Sequence, residues 1–144
     1  MVPHEFIFQP GLWIGEGKVT FSASPEHLRF FTKWRVEKSE NGLIRCQQQV
    51  EMEGREGDVF NTLVFSDITA NSCIVELTSD LLGTILGKCV MDKRAVAWEF
   101  RGHPEFEGFE VYELQDNKDY MLHAEYAASD QLRTVIDGRV WRKG

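Results

Sequence analysis

The sequence predicts an all-β fold, a single antiparallel up-and-down β-barrel of about ten strands. Apolar and polar residues alternate along most of the chain with the period of two that a half-buried strand requires, and no window has the spacing of an amphipathic helix. Turn residues interrupt the alternation at short intervals, and no gap is long enough for a Greek-key crossover. Such a meander removes its free edges best by closing on itself.

The first three predicted strands have the clearest pattern. Residues 12–22 and 28–38 each place an apolar face opposite a more polar one, and residues 43–53 continue the alternation. Asn41 and Gly42 tolerate the positive φ of a type I′ turn, so the second and third strands should form a hairpin. The other predicted strands cover residues 59–66, 72–78, 84–91, 95–101, 106–114, 120–128 and 132–142.

The chain length favours one domain over residues 1–144, and we expect residues 1–10 to close one end of the barrel. A net charge of −7, a pI near 5.1 and scattered basic residues argue against a nucleic-acid partner, which needs clustered Lys and Arg. The N-terminal residues lack the basic and apolar regions of a signal peptide, and no stretch approaches the roughly 18 apolar residues of a membrane span. We therefore expect no membrane partner and a cytoplasmic location.

No metal site is predicted, because the side chains that bind metals are not suitably spaced. Cys46, Cys73 and Cys89 lie far apart and lack a CxxC pair, so we expect buried, reduced thiols. The four histidines show neither H-x-H nor H-x-x-x-H spacing. The chain also lacks the G-x-S-x-G motif of a nucleophile elbow.

Residues 11–17 read Gly-Leu-Trp-Ile-Gly-Glu-Gly and resemble the G-x-W opening of the calycin barrels, which include lipocalins, fatty-acid-binding proteins and nitrobindins. The resemblance implies that Trp13 plugs one barrel end, with Arg139 or Arg142 packed on its ring as a cation–π contact. Nitrobindins supply a haem-binding His from near the C-terminal end, and no His follows His123 here. The sequence therefore predicts no cofactor, and no haem bound through His123.

Residues 139–143, Arg-Val-Trp-Arg-Lys, are similar to the R-x-Y ending of fatty-acid-binding proteins, with Trp141 in place of Tyr. The resemblance implies an interior Arg that holds a ligand carboxylate. An indole N–H donates one hydrogen bond and accepts none, so recognition would differ from that family. The predicted ligand-binding residues are Phe30, Trp34, Gln48, Trp98, Arg133, Arg139 and Trp141.

The last strand allows two registers, and the pattern leaves both open. In one, Arg133, Asp137 and Arg139 face the interior and a ligand anion completes their pairing. In the other the even positions face inward, and the charged side chains avoid the penalty of burial. Those even positions are Leu132, Thr134, Ile136, Gly138 and Val140.

The predicted function is non-enzymatic binding of a small hydrophobic or amphipathic, fatty-acid-like molecule inside the barrel. One alternative is a small barrel enzyme or a bilin-lyase-like protein that handles a chromophore, with Glu99 or Asp137 acting near the mouth. The acidic run at residues 105–110 could pair Glu105 and Glu107 for acid–base chemistry, but a solvated outer face is favoured. A second alternative is a filled barrel that serves as an interaction scaffold.

Overall fold

The computed structural model describes residues 2–80, 82–103, 106–128 and 133–143, and it confirms the predicted all-β barrel. Glu105 and Leu132 lie outside the described residues. Within these ranges no helix is long and apolar enough to cross a membrane. The strands are β1 (Gly11–Phe21), β2 (His27–Val36), β3 (Ile44–Met52), β4 (Val59–Ser66), β5 (Ser72–Ser79), β6 (Gly83–Met91), β7 (Ala95–His103), β8 (Phe106–Leu114), β9 (Tyr120–Ala127) and β10 (Arg133–Arg142).

Every strand pairs antiparallel with its neighbours in the chain, and β10 returns to pair with β1, so the sheet is closed. Gly17 and Gly138 lie opposite each other at this closure. A Cβ atom on Gly17 would collide with the backbone of β10 and with the ring of Phe30. The two glycines therefore allow the closing strands to coil tightly, a usual role of glycine inside a barrel strand.

The register of β10 is the one in which the even positions face inward. Val140 is fully buried, and Thr134 and Ile136 line the interior. Arg133 and Arg139 are exposed on the outer face. The barrel thereby keeps the charged side chains of its last strand in water and avoids the cost of burying them.

An aromatic cluster around Phe6 fills one end of the barrel. The Phe6 ring is 0% exposed and contacts four other rings. The distances between ring centroids are 5.2 Å to Trp13, 5.4 Å to Trp34, 4.7 Å to Tyr112 and 5.4 Å to Tyr120. Most of these pairs are tilted or edge-to-face, the arrangements that aromatic quadrupoles favour. The plug at this end is thus Phe6 together with Trp13.

His4 fastens the N-terminal segment to the barrel. Its Nε2 lies 2.6 Å from the carbonyl oxygen of Asp92 and 3.1 Å from that of Ala95, and its Nδ1 lies 2.8 Å from the Tyr120 hydroxyl. Since both carbonyls can only accept, Nε2 carries a proton and donates it. The chain then turns at Ile7, whose φ of 65° is costly for a β-branched residue, and the complete burial of Phe6 and Ile7 offsets that strain.

Neither C-terminal arginine forms the expected cation–π contact with Trp13 among the described residues. Arg139 lies outside the barrel, where its guanidinium sits 4.6 Å from the centroid of the Trp141 ring. Arg142 does reach the plugged end, but its guanidinium donates to the Pro10 carbonyl at 3.1 Å. That part of the prediction was wrong because the N-terminal segment supplies the partners of both Trp13 and Arg142.

We expect Phe6→Ala to lower the free energy of unfolding by about 3–5 kcal/mol, the usual cost of removing a fully buried Phe side chain. Phe60→Ala is a matched control, because the Phe60 side chain is 60% exposed and its loss should change stability by less than about 0.5 kcal/mol. Guanidinium denaturation followed by Trp fluorescence measures both. Equal losses in the two variants would show that the plug contributes no special stability.

Candidate functional site

The half of the barrel away from Phe6 encloses a cavity of about 400 Å³. Its floor includes Trp34 and Tyr112, two of the rings that also contact Phe6. Its mouth lies at the opposite end, where Arg55 in the β3–β4 turn lines the rim. The walls are mainly apolar and include Val19, Phe21, Phe30, Val50, Leu63, Leu77, Phe100, Phe106, Leu122 and Ile136.

Three of the predicted ligand-binding residues line this cavity. Phe30 and Trp34 form parts of its apolar wall, and Gln48 accepts a hydrogen bond of 2.9 Å from the amide of Asn61 on the neighbouring strand. Trp98 is buried beside the cavity, with its ring centroid 5.0 Å from that of Tyr112. The structure brings these four side chains to one region, and their role in binding stays a prediction.

The other three predicted residues, Arg133, Arg139 and Trp141, lie on the outer face, so the expectation of an interior arginine anchor is wrong. Arg133 pairs with Glu125 at 3.1 Å, and Arg139 lies 3.6 Å from both Glu16 and Asp119. Hydration and surface carboxylates satisfy these guanidinium groups without the desolvation that an interior position requires. A ligand carboxylate in the cavity would not meet them.

The polar centre of the cavity is Glu110, which sequence reasoning missed. The hydroxyl of Tyr112 donates to Glu110 Oε1 at 2.5 Å, and the hydroxyl of Tyr126 donates to Glu110 Oε2. Each carboxylate oxygen therefore receives one phenolic hydrogen bond. The indole N–H of Trp98 makes no hydrogen bond of ordinary geometry within the described chain, but it lies close enough to favour the ionised form of Glu110.

Gly108 positions the tyrosine that reaches Glu110 from the next strand. Gly108 and Tyr126 are opposite each other in the β8–β9 pair, and a Cβ atom on Gly108 would collide with the Tyr126 ring. The other side of that ring stacks on Phe106, with centroids 4.7 Å apart and planes inclined by 24°. The Tyr126 ring is thus held between a backbone and an aromatic face, with its hydroxyl directed at the carboxylate.

Burial raises the pKa of the Glu110 carboxyl above its ordinary value of 4.5, while the hydrogen bonds from Tyr112 and Tyr126 and the nearby indole N–H of Trp98 act in the opposite direction. The pKa values of both tyrosines are raised well above the usual range, because burial and the neighbouring carboxylate disfavour a phenolate. The tyrosines therefore remain neutral donors. The site can hold a carboxyl group that keeps its proton to a higher pH than an exposed one, or that accepts hydrogen bonds from a bound molecule.

The acidic residues expected at the mouth lie elsewhere. Glu99 is on the outer face and pairs with Arg101 at 3.2 Å. Asp137 is also outside, 2.6 Å from Nδ1 of His123, and Glu125 lies 2.9 Å from Nε2 of the same ring. These two carboxylates, Asp137 foremost, raise the pKa of His123. They form a surface network that has no contact with the cavity described above.

The cysteines are buried and free. Cys73 and Cys89 face each other across β5 and β6, and the hydrogen bond between them, together with burial, raises the pKa of the Cys73 thiol. Burial raises the pKa of Cys46 to about 12. In the part of the chain that the structure describes, no group of three or more His, Cys, Asp or Glu side chains is arranged to hold a metal ion.

Comparison with solved structures finds matches at low sequence identity. The S-type phycobiliprotein lyase CPES from Guillardia theta superposes with a TM-score of 0.73 at 11% identity, covering 100% of this chain and 94% of the lyase. EF1p2_mFAP2b bound to DFHBI gives a TM-score of 0.49 at 12% identity, covering 99% of this chain and 100% of that protein. The PknI sensor domain of M. tuberculosis gives a TM-score of 0.38 at 11% identity, covering 94% of this chain and 87% of the sensor domain. No family model and no curated protein matches the chain.

The fold and the cavity define this chain as a calycin-like barrel, closed by an aromatic plug at one end and hollow at the other. The expected calycin-like fold is therefore confirmed. Identity this low shows the fold and leaves function to be argued from the site itself.

The raised pKa of Glu110 has a consequence for stability. Below about pH 4.5 the carboxyl is protonated in both the folded and the unfolded chain. As the pH rises further, the unfolded chain releases the proton first, so the folded state binds more protons and its relative stability falls until the pH passes the folded pKa. We expect this decline to be smaller in Glu110→Gln than in the native protein, as measured by urea denaturation between pH 4 and pH 8. The separate decline above about pH 6.5 that the raised pKa of His123 produces should persist in the variant.

The control for this experiment is Glu107→Gln, which changes an exposed residue on the outer face of the same strand. It should leave the decline intact. Unfolding free energies that run parallel with pH in the native and Glu110→Gln proteins would contradict the assignment of a buried, proton-retaining carboxyl.

Proposed function

We propose that this barrel binds a small, mainly apolar molecule in its cavity and does not transform it chemically. The observation that carries the proposal is the cavity of about 400 Å³, which is open at one end and floored at the other by packed aromatic rings. Ligand sites of this kind fall within roughly 300–1,000 Å³ and combine apolar walls with a few polar groups. Transfer of apolar ligand surface from water onto these walls supplies the driving force.

The polar groups inside the cavity argue for a ligand unlike a fatty acid. The acid-binding arginine expected from the resemblance lies outside, while the interior presents Glu110 and the tyrosines. A carboxylate ligand placed beside Glu110 would bring two like charges together in a poorly solvated space. We therefore propose a ligand whose polar end donates hydrogen bonds, with its apolar body against Phe30 and Trp34.

A second candidate is the handling of a chromophore, and Glu110 is the observation that favours it. A buried carboxyl with a raised pKa can pass a proton to a bound conjugated molecule, which Glu99 and Asp137 on the outer face cannot do. The similar structure from Guillardia theta is a phycobiliprotein lyase. A shift in the absorbance of an added open-chain tetrapyrrole that is lost in Glu110→Gln would support this candidate, and an unchanged spectrum would exclude it.

We expect Thr134→Trp to abolish the binding of a neutral fluorophore such as Nile red, because Thr134 lines the cavity and an indole there would occupy the ligand space. Affinity should fall at least about tenfold, equivalent to about 1.4 kcal/mol. Val135→Trp is the matched control, since residue 135 follows on the same strand with its side chain on the opposite face. Fluorescence titration measures both variants, and circular dichroism verifies their fold.

If Val135→Trp weakens binding as much as Thr134→Trp does, the fluorophore sits on the outer surface and the cavity proposal fails. If the native protein takes up no apolar probe at all, the ligand-binding proposal fails and a role as an interaction scaffold is favoured instead.

A further inference from the structure

We propose that the cavity selects ligands that carry a protonated amine, held by the Glu110 carboxylate. This inference rests on the proposed function, because it assumes that the cavity is a ligand site. It adds the chemical class of the ligand: an organic cation with an apolar body of modest size.

The hydrogen bonds at Glu110 leave room for such a group. An ionised carboxylate offers about four lone-pair positions on its two oxygens. Tyr112 takes one position on Oε1 and Tyr126 takes one on Oε2. The indole N–H of Trp98 also lies near the carboxylate, so at least one acceptor position stays available, and both tyrosines hold the carboxylate in place.

The charge of Glu110 is not balanced by the protein. Among the described residues no Lys, Arg or His forms an ion pair with Glu110, whereas the ion pairs that do form join partly exposed side chains such as Arg133 with Glu125 and Arg101 with Glu99. A partly buried carboxylate without a cation is costly, and a cation that arrives with the ligand offsets that cost. A neutral alcohol would satisfy the hydrogen bonds without balancing the charge.

Other groups in the cavity fit the same ligand. Phe30, Trp34 and Phe106 present aromatic surface, which attracts a cation through the ring quadrupole. Thr32 also lines the cavity, but its hydroxyl oxygen is buried against Gly15 of β1 and takes no part in this proposal. The one basic residue on the described lining is Arg55, and it lies at the mouth in an exposed turn.

Arg55 supplies the competing arrangement, in which an acid binds with its carboxylate at the mouth and its tail inside. The two arrangements predict opposite ligand preferences and depend on different residues. Octylamine, octanol and octanoate share one apolar chain and differ in the charge of the head group, so they separate the two. At pH 7 the amine is a cation and the acid an anion.

The experiment measures how each of these three molecules displaces Nile red from the native protein. We expect octylamine to bind at least about tenfold more tightly than octanol, and octanoate to bind more weakly than both. Glu110→Gln keeps the shape of the side chain and removes the charge. It also replaces one acceptor oxygen with an NH2 donor, so one of the two tyrosine hydroxyls must turn to accept a hydrogen bond instead of donating one. In that variant the advantage of octylamine over octanol should disappear while the affinity for octanol stays the same.

Arg55→Gln is the matched control, because it removes the charge at the mouth of the cavity and should leave the amine preference unchanged.

The order of the three affinities in the native protein is decisive even if Glu110→Gln fails to fold. Equal binding of all three molecules overturns the amine proposal and leaves the apolar-binding function standing. Tightest binding of octanoate, lost in Arg55→Gln, overturns it in favour of an acid held at the mouth. Failure of the native protein to bind Nile red or any of the three overturns both proposals.

Discussion

The packing of Phe6 against four aromatic rings is the interaction on which the rest of the barrel interior depends. It divides the interior into a solid half and a hollow half. Trp34 and Tyr112 belong to both halves, since each contacts Phe6 on one side and lines the cavity on the other. The hydroxyl of Tyr112 then reaches Glu110. The plug, the cavity floor and the carboxylate therefore form one continuous chain of contacts. A displacement of Phe6 would move the Tyr112 ring, whose hydroxyl donates to Glu110.

Glu110 is the costly element of this arrangement. Removing a carboxylate from water costs several kcal/mol even after the protein relaxes around it. Two hydrogen bonds from phenolic hydroxyls to a charged acceptor return about 1.5–3 kcal/mol each, which offsets much of that cost but brings no positive charge. The part of the desolvation cost that these hydrogen bonds do not offset is the reason that the pKa of Glu110 is raised. Stability alone does not explain a carboxyl in this position, since an apolar residue would pack there without penalty. Under the proposed function, the carboxyl is there to meet the polar end of the ligand.

Sequence patterning predicted the barrel because period-two alternation and turn residues depend only on local chemistry. The inward faces of the first strands, with Trp13, Phe30 and Trp34, followed from that alternation and are confirmed. In β10 the two faces are nearly balanced in the sequence, and the hydration of Arg133 and Arg139 decides between them. The alternation could not distinguish these two possibilities, because it carries no information on which charges find partners across neighbouring strands.

The sequence did not predict the inward position of Glu110 or the burial of Phe6, for different reasons. In β8 both faces mix acidic and apolar residues, so Glu110 looks no different from the exposed Glu107. The available signal was Gly108, which shares the inward face with Glu110 and leaves space for a large ring from the next strand. Phe6 lies in a segment with no periodicity at all, and its burial depends on contacts with residues from four strands, most of them distant in sequence.

The low identity to a barrel of the same fold indicates where functional difference can reside. At 11% identity over the whole chain, the shared architecture follows from alternation, turns and closure rather than from particular side chains. Inward residues of the plugged half pack against one another, so a change there costs stability. Inward residues near the mouth face a cavity and have no packing partner on that side, and they can change at little cost to the fold. Glu110 stands between these regions, held by Tyr112 from the packed half and by Tyr126 from the hollow half. A charged group in that position can be both rigidly placed and accessible to a ligand, which a residue deeper in the plug or further out on the rim cannot.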